Sequence, residues 1–110
     1  MTIKLPPSIQ AYFDADNARS PDAVAAAFTD DAVVRDAGEV RVGRESIRRW
    51  KVETDQKYSY TLTEPLLITT ENGKTQVTGH VSGDFPGSPV DLRYFFVLKG
   101  DKIAHLEITV

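Results

Sequence analysis

Cysteine is absent from the 110-residue sequence, which removes disulfides, thiolate nucleophiles and cysteine-ligated metal sites together. Histidine is scarce. His80 and His105 fall on separate extended segments with no third ligand at useful spacing, which argues against zinc and leaves no metal site to expect. His80, Ser82 and Asp84 share one short run without a nucleophile-elbow signature, so a serine-histidine-aspartate triad has no support. Excess basic charge is missing too: the net charge is -3 and the 13 lysines and arginines are dispersed, which disfavours nucleic acid and anionic lipid as partners. No apolar run is long enough to span a bilayer. The opening MTIKLPPSIQAYFDAD places prolines and acids where a signal peptide needs an unbroken apolar stretch. These absences leave one soluble, cytoplasmic domain over residues 1–110 as the expectation, with 41% apolar residues to build a single core.

What is present is organised around Ser88 to Lys99, SPVDLRYFFVLK. Its Val, Leu, Tyr and Phe content between Pro86-Gly87 and Gly100-Asp101 predicts a strand. Alternation sends Val90, Leu92, Tyr94, Phe96 and Leu98 to one face and Asp91, Arg93, Phe95 and Val97 to the other. Both faces are mostly apolar, so the strand is expected to be central. Asp91 and Arg93 then stand on a face that looks buried, where charges are costly unless paired or used.

The rest of the chain supplies its neighbours. Pro6-Pro7 followed by Ile9, Tyr12 and Phe13 predicts an amphipathic helix over Pro7 to Asn17. Ser20-Pro21-Asp22 starts a second helix whose buried stripe is Val24, Ala27 and Phe28. Ala32 to Asp36 is a short strand in which Asp36 shares the face of Val34; after the Ala37-Gly38 turn, Glu39 to Val42 forms another. A third helix follows Gly43, narrow in its apolar stripe, with Ile47 and Trp50 beneath it. From Tyr58 the period becomes two. Tyr58 to Thr70, Lys74 to Phe85, Ser88 to Lys99 and Lys102 to Val110 are four strands joined by turns at Asn72-Gly73, Pro86 to Pro89 and Gly100-Asp101, which implies an antiparallel meander. Pro65 marks an edge or a bulge, and Gly79 and Gly83 allow bending or close approach. The fold class is α+β: three N-terminal helices packed on a strongly bent mixed or antiparallel sheet, a cone-shaped barrel whose mouth forms a pocket.

This order of elements, with the segments IQAYFDADNARSPDAVAAAF, TDDAVVRD, GRESIRRW, GDFPGSPVDLRYFF and GDKIAHLEI, resembles the nuclear transport factor 2-like superfamily, in particular its SnoaL-like and ketosteroid isomerase-like members. The resemblance implies a small-molecule-binding domain, possible isomerase or cyclase chemistry by cofactor-independent proton transfer next to a carbonyl, and a homodimer. Carried over residue by residue, Tyr12 falls at the tyrosine that donates to the substrate oxygen and Asp36 at the general base. Asp91, or Arg93 two residues on, falls at the second oxyanion position. Trp50 and Tyr58 would supply the apolar wall for a hydrophobic or carbonyl-containing ligand, Tyr58 being preferred over Tyr60 as sharing parity with Leu62.

Each of these residues has an ordinary structural alternative. Tyr12 can be a core tyrosine, Asp36 a cap on the Ala37-Gly38 turn, Trp50 a core residue, and Asp91 with Arg93 a buried ion pair that fixes sheet register. If all four alternatives hold, the domain is a non-catalytic binding or dimerisation module.

Overall fold

The computed structural model describes residues 5–109, with the side chains of residues 63–66 outside the description. Helix α1 spans Pro7–Asn17 and helix α2 Pro21–Ala26, with Ser20 capping the latter by accepting from the Ala23 amide. Strands β1 (Phe28–Asp36) and β2 (Glu39–Val42) precede helix α3 (Arg44–Lys57), and β3 (Ser59–Glu71), β4 (Lys74–Asp84), β5 (Val90–Lys99) and β6 (Lys102–Thr109) complete the chain. The expected last residue of the final strand, Val110, lies outside the described residues.

The six strands form one sheet in the order β2-β1-β6-β5-β4-β3. The expected meander is there as antiparallel β3-β4-β5-β6, and β6 closes the sheet by pairing in parallel with β1, Val34 opposite Leu106 and Asp36 opposite Ile108. The sheet is strongly curled around the three helices, giving the cone expected from the order of elements. Phe28 is a departure. It begins β1 and does not belong to the second helix, because α2 stops at Ala26 and the Ile103 amide donates to the Ala27 carbonyl as the chain joins the sheet.

Two sequence features produce the curl. Pro65 sits on the edge strand β3, and the register with β4 shifts on both sides of it. On β4, a Cβ at Gly79 would collide with the Leu62 side chain and touch Tyr94, so the glycine lets Leu62 close over the inner face of the sheet.

That inner face carries the core. Ile9, Tyr12 and Phe13 of α1, Val24 of α2 and Ile47 and Trp50 of α3 pack on Phe28, Val34, Val77, Val81, Tyr94, Phe96, Ile103 and Leu106. Val77 and Val81 are buried core residues. The outer face of β5 is the one that holds Asp91, Arg93, Phe95 and Val97. Phe95 and Val97 made it look buried in the sequence, but Asp91 and Arg93 are both exposed on it.

Candidate functional site

A cavity of about 350 Å³ lies between α1, α3 and the inner face of the sheet. Four of the six residues singled out from the sequence line it: Tyr12, Asp36, Trp50 and Tyr58. Asp91 and Arg93 do not, and they do not pair with each other across the sheet. Asp91 lies opposite His80 on the outer face, its Oδ1 2.8 Å from His80 Nδ1, while Arg93 lies opposite Thr78 and Thr109. The physical reason is parity. Tyr94 and Phe96 must face inward to fill the core, so the odd-numbered positions face out, and a two-residue slip in the family match cannot change that.

Asp36 ends β1 one residue before Ala37 and Gly38, both at positive φ, so the chain reverses immediately after the carboxylate. Val34 and Asp36 share the inner face. Trp50 reaches down from α3 and donates its indole Nε1–H to Asp36 Oδ2 at 3.1 Å. This is the one hydrogen bond Asp36 receives among the described residues, and it comes from a neutral donor. A carboxylate so held keeps lone pairs for a ligand.

Tyr12 and Tyr94 make up the floor. Tyr12 is 1% exposed, with its ring edge-on to Phe13, Phe28 and Phe96, and Tyr94 is 3% exposed and edge-on to Phe13. Neither hydroxyl has a hydrogen-bond partner among the described residues. Yet the only sealed and unpartnered side-chain polar atom among those residues is Asp55 Oδ1, so both hydroxyls open onto the cavity. Burial, then the charge of Asp16, pushes both phenols up from their ordinary value, which keeps them protonated donors.

The same cavity is lined by Asp16 and Lys51, which the sequence reading did not include, and by Tyr60, which it passed over for Tyr58. Lys51 Nζ donates to Asp16 Oδ1 at 2.9 Å and to Tyr60 Oη at 2.6 Å, and the Tyr60 hydroxyl donates to Asp16 at 2.9 Å. The ammonium stands 4.2 Å from the centre of the Trp50 ring. Burial and the Asp16 charge push the Tyr60 phenol up as well. Tyr60 lines the same cavity as Tyr58 because residues two apart on an extended chain share a face. Preferring one over the other was an error of parity. Tyr58 itself is partly exposed at the rim, edge-on to Phe85.

The cavity thus holds two carboxylates in different settings. Asp16 is paired with Lys51 and also accepts from Tyr60, whereas Asp36 accepts only from the Trp50 indole among the described residues. Among the described residues no group of three histidine, aspartate or glutamate side chains is arranged to hold a metal ion.

Residues 9–106 match the family model described as a SnoaL-like domain. Among solved structures, a candidate polyketide cyclase from Sinorhizobium meliloti is 45% identical and superposes with a TM-score of 0.89, covering 96% of this chain and 95% of that one. A ketosteroid isomerase-like protein from Catenulispora acidiphila, in complex with trimethylamine, is 21% identical with a TM-score of 0.80, covering 97% and 87%. A second candidate polyketide cyclase, from a Silicibacter species, is 22% identical with a TM-score of 0.81, covering 93% and 85%. The last two likenesses concern the fold alone. No curated protein matches the chain.

Proposed function

The chain belongs to the SnoaL-like family, and on that premise we propose that its cavity binds a small carbonyl-containing molecule and carries cofactor-independent proton transfer of an isomerase or cyclase kind. Asp36 takes a proton from the carbon next to the carbonyl. Tyr12 donates to the oxygen on which the negative charge collects. The second donor position, left empty by the outward turn of Asp91 and Arg93, falls to Tyr94. Trp50 orients Asp36, and with Tyr58 and Phe85 it supplies an apolar wall against which an enolate is shielded from water.

The observation that carries this reading is the contrast between the two carboxylates of one cavity. Asp16 is tied to an ammonium, whereas Asp36 accepts at 3.1 Å from a neutral indole and lines the same cavity as Tyr12 and Tyr94. One acid is occupied by its charged partner, and the other keeps lone pairs for a ligand. The test is thermal denaturation against a panel of enolisable ketones, phenols and small carboxylates, since a ligand that binds only the folded chain raises the midpoint. A rise with a ketone or phenol that is reduced in Tyr12→Phe and in Asp36→Asn is the expected result. A panel in which those two substitutions leave every shift unchanged would contradict it.

A second reading has its own observation. Aromatic walls around one unneutralised carboxylate also suit a small organic cation, and trimethylamine is the molecule held by the Catenulispora protein. In that case the domain is a non-catalytic binding module and trimethylammonium, included in the panel, gives the largest shift. The expected homodimer and cytoplasmic setting belong to the proposal too. The outer sheet face exposes Val40 and Val42 at its β2 edge and Leu67 at the opposite, β3 edge, with four strands between them, and sedimentation equilibrium reads the oligomeric state directly.

A further inference from the structure

Lys51 and Asp16 are 3% and 6% exposed, and an ion pair so far from water is harder to maintain than apolar residues of the same volume. A merely structural pair could sit anywhere in the core, yet this one lies in the cavity wall together with Tyr60. Its placement is also coupled to the base. Trp50 and Lys51 are consecutive on α3, so the helix sends one side chain to Asp36 and the next, about 100° round the axis, to Asp16. An ammonium has three N–H donors. Asp16 and Tyr60 take two of them, and the third is left beside the Trp50 ring and the cavity.

We propose that Lys51, held by Asp16 and Tyr60, is the proton donor of the site and acts on a second oxygen of the substrate. The inference rests on Asp36 being the base, as proposed above. Asp36 takes the proton as a C–H bond breaks next to one carbonyl. The carbanion forms a C–C bond to a second carbonyl carbon of the same molecule, whose C–O π pair moves onto oxygen. That alkoxide takes a proton from the Lys51 ammonium, leaving an amine to which the Tyr60 hydroxyl can donate. Asp36 then loses its proton to water and Lys51 regains one, so no atom is gained or lost and no co-reactant is needed. The consequence for substrate class is specific: the molecule carries two carbonyl groups within one cavity length, and ring closure is the outcome. A single shift of a double bond would leave Lys51 without a task.

The test uses heptane-2,6-dione in D2O with the full chain, following two signals by proton NMR. Exchange of the α-hydrogens reports the Asp36 step alone, and appearance of the cyclic product reports both steps. Lys51→Arg keeps the charge but not a proton that can be given up. It is expected to lower ring closure at least about a hundredfold while exchange falls less than about tenfold. Should Lys51→Arg fail to fold, the double variant Asp16→Asn, Lys51→Met leaves no unpaired charge, and the same split is expected. Ring closure at the wild-type rate in either variant, exchange and closure falling by the same factor, or wild-type protein that exchanges without closing the ring would each overturn the role of Lys51 and leave Asp36 standing. Wild-type protein that does not exchange would overturn both.

Discussion

Lys51 and Asp16 meet at 2.9 Å in the wall of the cavity, and Tyr60 closes the triangle with a hydrogen bond to each. Removing one member leaves the other charged, buried and unpaired. Lys51→Met is therefore expected to cost about 3 to 5 kcal/mol of stability in urea denaturation. The double variant Asp16→Asn, Lys51→Met should recover most of that loss, since no charge is then stranded.

Tyr12→Phe removes a hydroxyl with no partner among the described residues and leaves its aromatic contacts in place. Stability should change by less than about 1 kcal/mol. Ligand-induced shifts of the melting midpoint with ketones and phenols should shrink. A large loss of stability would instead mark the hydroxyl as structural.

Alkaline titration probes the three buried phenols. Tyr12, Tyr60 and Tyr94 all have values raised above the ordinary 10.0, with burial the leading cause and Asp16 next. A group whose folded value is raised binds its proton more tightly in the folded chain. Its contribution is complete below the unfolded value and is lost as pH rises past it. Stability should hold to about pH 9 and fall above about pH 10, and tyrosinate absorbance from these residues should appear together with unfolding.

Asp91→Asn acts on an exposed contact with His80 on the outer sheet face. Exposed pairs contribute about 0 to 1 kcal/mol, so the melting midpoint should move little. Ligand response in the cavity should persist, in contrast to Asp36→Asn.

Much of the fold was legible because its signals are local. Pro7 and the 9, 12, 13 spacing mark α1, Ser20-Pro21 marks α2, and Asn72-Gly73, both at positive φ, turn β3 into β4. The parallel pairing of β1 with β6 was not, since it joins segments about seventy residues apart with no turn to announce it. In the site, Tyr12 and Asp36 were legible from helix spacing and strand parity. Asp16 and Lys51 were overlooked although their signal is present. Asp16 continues the stripe of Ile9, Tyr12 and Phe13, and Lys51 that of Ile47 and Trp50, so each is a charge on an apolar helix face. Asp91 and Arg93 misled because Phe95 and Val97 give the outer face of β5 the pattern of a buried one. Only the packing of Tyr94 and Phe96 against α1 decides which face is the core.

The most direct measurement is the rate at which the purified protein exchanges the α-hydrogens of an enolisable ketone with D2O, compared with its Asp36→Asn variant at matched folding. With Asp36 as the base, the wild-type chain accelerates exchange and the variant loses at least about a hundredfold of that acceleration. Equal rates in the two proteins, with the variant folded, would contradict the assignment of Asp36 and with it the proton-transfer function.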